Sequence, residues 1–85
     1  MRVVRCLDPI EVTSRATGKS QRRRVVVLQR EDGHFTFAEE YSYNSIADGK
    51  ILAQGWARLP SEGVFDTAGR AEAEGRAIFL RRWGR

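Results

Sequence analysis

Few residues in this 85-residue chain have the types and spacing that chemistry requires. Thr17-Gly18-Lys19-Ser20 has the ending of a phosphate-binding loop. That motif needs a second glycine five positions before Gly18, where this chain has Thr13. It also needs a following helix whose N-terminus faces the phosphates, and the residues that follow, Arg22-Arg23-Arg24-Val25-Val26-Val27-Leu28, have the character of a strand. The segment therefore predicts a hairpin turn with Gly18 at positive φ. His34 is the only histidine and Cys6 the only cysteine. One histidine without a cysteine or carboxylate cluster makes no zinc site. Cys6 has no neighbour in sequence that would lower its pKa, so it is expected as a small apolar core residue. Glu39 and Glu40 are adjacent on a predicted strand and so point to opposite faces, which removes them as a general acid/base pair. No set of nucleophile, base and orienter can be assembled. The expectation is a non-enzymatic protein without a cofactor or metal.

A second group of residues suits binding rather than catalysis. Arg22, Arg23 and Arg24 precede a strand whose predicted neighbour carries Tyr41 and Tyr43, and Trp56 and Arg58 follow on the next strand. Arginine forks fit phosphates and carboxylates and stack on rings. Aromatic rings flanked by arginines are how sheet surfaces stack bases. Arg22, Arg23, Arg24, Tyr41, Tyr43, Trp56 and Arg58 form the candidate interaction surface.

The elements that must position these residues are legible in order. Arg2 to Ser14 predicts one bent strand or two short ones, interrupted at Asp8-Pro9 because proline cannot donate to a ladder. Residues 22–31 form a strand whose continuous apolar run, Val25 to Leu28, predicts burial on both faces and a central place. Asp32-Gly33 signals a two-residue hairpin loop. Residues 34–43 form an aromatic strand, with Phe35, Phe37, Tyr41 and Tyr43 on one face. Asp48-Gly49 closes a second hairpin into the strand at 50–59, which Pro60 ends. Ser61-Glu62-Gly63 is expected as loop. Asp66 or Thr67 caps a helix running to about Trp83, with Ala68, Ala71, Gly75, Ile78, Phe79 and Trp83 at helical spacing. The fold expected is α+β: an antiparallel β-meander of three to four strands with one C-terminal helix packed across a face. Residues 1–85 suit one domain.

Two-residue loops at both turns imply a register. Leu28 pairs with Phe37, Val26 with Glu39 and Arg24 with Tyr41; Glu39 then pairs with Arg58, Tyr41 with Trp56 and Tyr43 with Gln54. Partners share a face. One face then holds Phe35, Phe37, Tyr41, Tyr43, Trp56 and Leu28 around a Glu39–Arg58 pair. The other holds Val25, Val27, Ala38, Ala53, Gly55, Ala57 and Leu59. Large rings dominate core energetics, which favours the helix on the aromatic face. The alternative leaves the rings outside, as an interaction patch.

Net charge is +4 and the pI about 10.0, with all but two of the fifteen basic residues arginine. That balance concerns partners and solubility, not fold. The start MRVVRCLDPIEV has no sustained apolar run, and no stretch approaches membrane-spanning length. The chain is expected to be soluble and cytoplasmic, without a membrane partner. The function expected is a small non-catalytic protein-interaction or accessory module, with a protein partner or a second copy of itself, as in a homodimer. The alternative is nucleic-acid binding through the arginine-flanked aromatic face.

Overall fold

The computed structural model describes residues 1–13 and 15–84. The fold is α+β: an antiparallel sheet with one C-terminal helix packed against it. The strands are β1 (Arg2–Cys6), β2 (Ile10–Thr13), β3 (Ser20–Gln29), β4 (Phe35–Ala47), β5 (Lys50–Arg58) and β6 (Glu62–Phe65), followed by α1 (Ala68–Trp83). β3 and β4 are the central pair. β1 and β2 both pair with β3, on its outer side, and β5 and β6 both pair with β4. Each flank is thus one long strand broken once. Both prolines of the chain lie at the breaks, Pro9 between β1 and β2 and Pro60 between β5 and β6. A residue without an N–H interrupts the ladder where the sheet bends.

Residues 61–63 are therefore not simply loop. Glu62 opens β6, whose ladder sets Phe35 opposite Phe65 and Phe37 opposite Glu62. The carbonyl of Glu62 also accepts the buried Thr36 hydroxyl at 2.9 Å. The strand signal of Glu62–Phe65 is weak because Gly63 sits at φ +72° within it.

The register differs from the two-residue expectation at both hairpins. At the first, the Arg30 amide donates to the His34 carbonyl and the Gly33 amide to the Arg30 carbonyl. The loop is Glu31-Asp32-Gly33, with only Gly33 at positive φ. That is a three-residue hairpin closed by a left-handed glycine. Leu28 consequently faces Thr36, Val26 faces Ala38 and Arg24 faces Glu40. At the second hairpin the loop is Asp48-Gly49, both at positive φ, as a two-residue turn requires. Here a bulge shifts the ladder: Ile46 pairs with Ile51, but Ser45 pairs with Ala53. Beyond it Tyr41 faces Ala57, Ser42 faces Trp56 and Glu40 faces Arg58.

A one-residue slip changes which side chains share a face. Val25 and Val27 share the face of Phe37 instead of taking the other one, and Trp56 lies on the other face from the four strand aromatics. The helix covers the face of Phe37. Val25, Phe37 and Phe79 form the core there, with Leu7, Phe65, Ile78 and Trp83 packed around them. Gly75 makes the close approach: a Cβ there would stand 2.9 Å from Phe37 Cγ and 3.1 Å from Val25 Cγ1. On the other face Val26, Leu28 and Ala38 form a second buried cluster. The run Val25–Leu28 is buried on both faces, as a central strand should be. Thr67 caps α1, its side chain accepting the Arg70 amide at 3.1 Å.

Candidate functional site

The centre of the sheet is built around two carboxylates. Glu39 and Glu40 are consecutive on β4, point to opposite faces and are only 3% and 4% exposed. A buried carboxylate requires charged partners. Glu39, on the helix face, accepts Arg23 Nη1 at 2.6 Å and the Trp83 indole N–H at 3.0 Å. Arg82 stands 3.6 Å from the same carboxylate. Glu40, on the other face, accepts Arg24 Nε at 2.8 Å and Arg58 Nε at 3.0 Å. The expected Glu39–Arg58 pair is thus replaced by Glu40–Arg58 and Glu39–Arg23, a direct result of the two register shifts. Among the described residues no buried side-chain nitrogen or oxygen lacks a hydrogen-bond partner.

The arginines also stack on the protein's own rings. The Arg24 guanidinium lies 4.0 Å from the centre of the Trp56 ring. The Arg23 guanidinium lies 4.9 Å from that of Trp83 and 5.4 Å from that of Tyr41. These are cation–π contacts made within the chain. Arg23 is held further by its Nε, which donates to Gln21 Oε1 at 3.1 Å.

The seven residues of the candidate surface are therefore divided between two faces. Arg23, Tyr41 and Tyr43 belong to the helix side. Arg24, Trp56 and Arg58 belong to the opposite side, around Glu40. Arg22 is exposed, and its backbone amide donates to Ser42 Oγ at 2.9 Å. Tyr43 is also exposed and lies beside Gly55, where a Cβ would come within 3.2 Å of its hydroxyl. Sequence reasoning missed Trp83, Arg82 and Gln21 as parts of these networks. Their spacing from β4 carries no local signal, because the fold alone brings the helix end to Glu39.

The remaining chemical groups lie at the surface. His34 Nδ1 stands 3.4 Å from Asp32 Oδ1 in the first hairpin, and Asp32 also accepts the His34 amide at 3.0 Å. That amide, more than any other cause, holds the Asp32 carboxyl below its ordinary value. Glu72 is likewise lowered, first by its hydrogen bond from Arg5 on β1 and then by Arg76 one turn along α1. Arg82 is raised by its two hydrogen bonds to Glu62, at 2.8 and 3.1 Å. Cys6, expected in the core, is exposed instead, because β1 is a mostly solvent-facing edge strand. Gly18 lies at φ +70° in a turn that leads into β3, so no helix N-terminus follows the Thr17-Gly18-Lys19-Ser20 string. Among the described residues no cluster of histidine, cysteine, aspartate and glutamate could hold a metal ion. No helix of the described residues is long and apolar enough to cross a membrane.

Two edges of the sheet are unpaired, and they differ. The β1–β2 edge is short in each part, broken by Pro9 and studded with Arg2, Arg5, Asp8 and Glu11. Those are the usual guards of an edge strand. The β5 edge runs through nine residues, and from Ile51 to Ala57 it carries no charge and no proline. Near its turn Ile46, Ile51 and Leu52 are 64%, 59% and 67% exposed. Comparison of the chain with protein-family models, with curated proteins and with solved structures finds no match.

Proposed function

We propose that this chain is a non-catalytic interaction module that associates with a second copy of itself through the β5 edge. The observation that carries the reading is the contrast between the two edges. An edge strand presents unpaired N–H and C=O groups to any other strand, and charge or proline normally blocks that. β1–β2 has both, whereas the middle of β5 has neither. Pairing of two β5 strands would continue the sheet across a twofold axis, the commonest symmetry of small oligomers. It would also cover Ile51 and Leu52, which are exposed in the monomer. Two central arginines favour the same reading: Arg24 and Arg58 are committed to Glu40, which leaves them structural.

Sedimentation equilibrium tests the proposal. The wild-type chain should weigh as a dimer. Leu52→Lys should return it to a monomer, because a charge added to the uncharged part of an edge disfavours pairing. Leu52 is exposed, so the monomer fold should survive the change. A wild-type chain that remains strictly monomeric at high concentration would remove the reading.

A further inference from the structure

The β2–β3 hairpin and the last turn of α1 enclose a cleft of about 600 Å³ on the helix side of the sheet. Its walls carry four cations, Arg15, Lys19, Arg23 and Arg82, together with the indole of Trp83. Among the described lining residues Glu11 is the only carboxylate. The cations are of two kinds. Arg23 and Arg82 are fixed by carboxylates behind them, Arg23 by Glu39 and Arg82 by Glu62. Arg23 uses Nε on Gln21 and Nη1 on Glu39, and its Nη2 makes no hydrogen bond among the described residues. Arg15 and Lys19 line the same cleft and make no ion pair among the described residues.

We infer that this cleft binds a phosphate-bearing ligand carrying at least two negative charges. Fixed guanidinium groups present their donors without a further cost of ordering, which is what makes them good phosphate forks. Arg15 and Lys19, on a turn above them and without counter-ions among the described residues, supply the charge that a multiply charged oxyanion needs. A concave wall strengthens their combined field relative to the same charges on a flat surface. Trp83 offers a reporter in the wall, anchored through its N–H to Glu39. The site shares Lys19 with the Thr17-Gly18-Lys19-Ser20 string but does not use that string as a phosphate loop. Its donors are side chains from three elements, and no helix N-terminus takes part. It is also distant in role from the β5 edge, so either proposal can fail alone.

The experiment uses the full chain with Trp56→Phe, so that fluorescence reports Trp83 alone. Tripolyphosphate is one probe and a single-stranded oligodeoxynucleotide the other, both titrated at low salt. Binding of the first but not the second supports a small oligophosphate as ligand, and the reverse supports the phosphates of a polynucleotide. In either case Arg15→Gln with Lys19→Gln should weaken binding about tenfold or more. For the oligonucleotide it should also reduce the slope of log affinity against log salt by about 1–2. Both replaced residues are exposed, and an unchanged melting curve would verify that the fold is retained. Absence of binding for both probes would overturn the inference. So would binding that the double substitution leaves unchanged.

Discussion

The indole N–H of Trp83, in the last turn of α1, donates to Glu39 Oε1 in the middle of β4 at 3.0 Å. This bond joins residues 44 apart in sequence and fastens the end of the helix to the centre of the sheet. Arg23 approaches the same carboxylate from the neighbouring strand, so one buried charge ties β3, β4 and α1 together.

Trp83→Phe should therefore destabilise the fold by about 1–3 kcal/mol, the cost of leaving a buried acceptor short of a donor to a charged group. Equilibrium urea unfolding would measure it. Amide exchange should rise most in the last turn of α1, because that turn loses its indole bond to Glu39.

On the opposite face, Arg24 and Arg58 share Glu40 unequally. Arg24 is the less exposed of the two and also lies over Trp56. Arg24→Ala should cost about 3–5 kcal/mol, since it strips a buried carboxylate of its main partner. Arg58→Ala should cost only about 1 kcal/mol, because its guanidinium is 40% exposed and water replaces it. Equal losses in chemical denaturation would contradict this division.

The two glycines of the helix should respond in opposite directions to alanine. At Gly75 the new Cβ would meet Phe37 and Val25 at 2.9 and 3.1 Å, and both are buried. Overpacking of about 1–3 kcal/mol exceeds the roughly 1 kcal/mol gained in helix propensity, so Gly75→Ala should lower the melting temperature. At Gly69 nothing lies within 4 Å. Gly69→Ala should raise the melting temperature, by the equivalent of about 0.4–1 kcal/mol.

Acid should weaken the contact between β1 and α1. The Glu72 carboxyl is held below its ordinary value of 4.5 by Arg5 and Arg76. A carboxyl lowered in the folded state contributes stability that is complete above the unfolded value. That contribution is lost as pH falls through the folded value. Stability should therefore begin to drop below about pH 4.5. Glu72→Gln should flatten that part of the profile in thermal melts taken across the acid range. A profile identical to wild type would refute it.

Salt should strengthen association at the β5 edge. Both ends of that strand are basic, Lys50 and Arg58, and it holds no acid. Two copies repel at those ends, and screening relieves the repulsion. The dimer fraction seen by sedimentation should rise between low and moderate ionic strength, and a fall would point to attraction between charges instead.

Much of the architecture was determined by the sequence alone, because its signals are local. The apolar run Val25–Leu28 marked a central strand, Asp8-Pro9 an interruption of the first strand, and Asp66 or Thr67 the start of a helix that ends with two arginines in its last turn. The opposed directions of Glu39 and Glu40 follow from the pleat of any strand. What tertiary structure decided was partnership. Asp-Gly suits either a two-residue loop or the end of a three-residue loop. Local φ preferences do not count the residues between two strands. The first hairpin takes the longer loop, and the second keeps the shorter one but adds a bulge at Leu52. Each shift is a single residue, yet the first brings Arg23 to the face of Glu39, and the second moves Arg58 from Glu39 to Glu40 and carries Trp56 away from the helix. The choice falls to the register that satisfies two buried carboxylates and fills the space beneath Gly75. Those contacts exist only when β3, β4, β5 and α1 are assembled together.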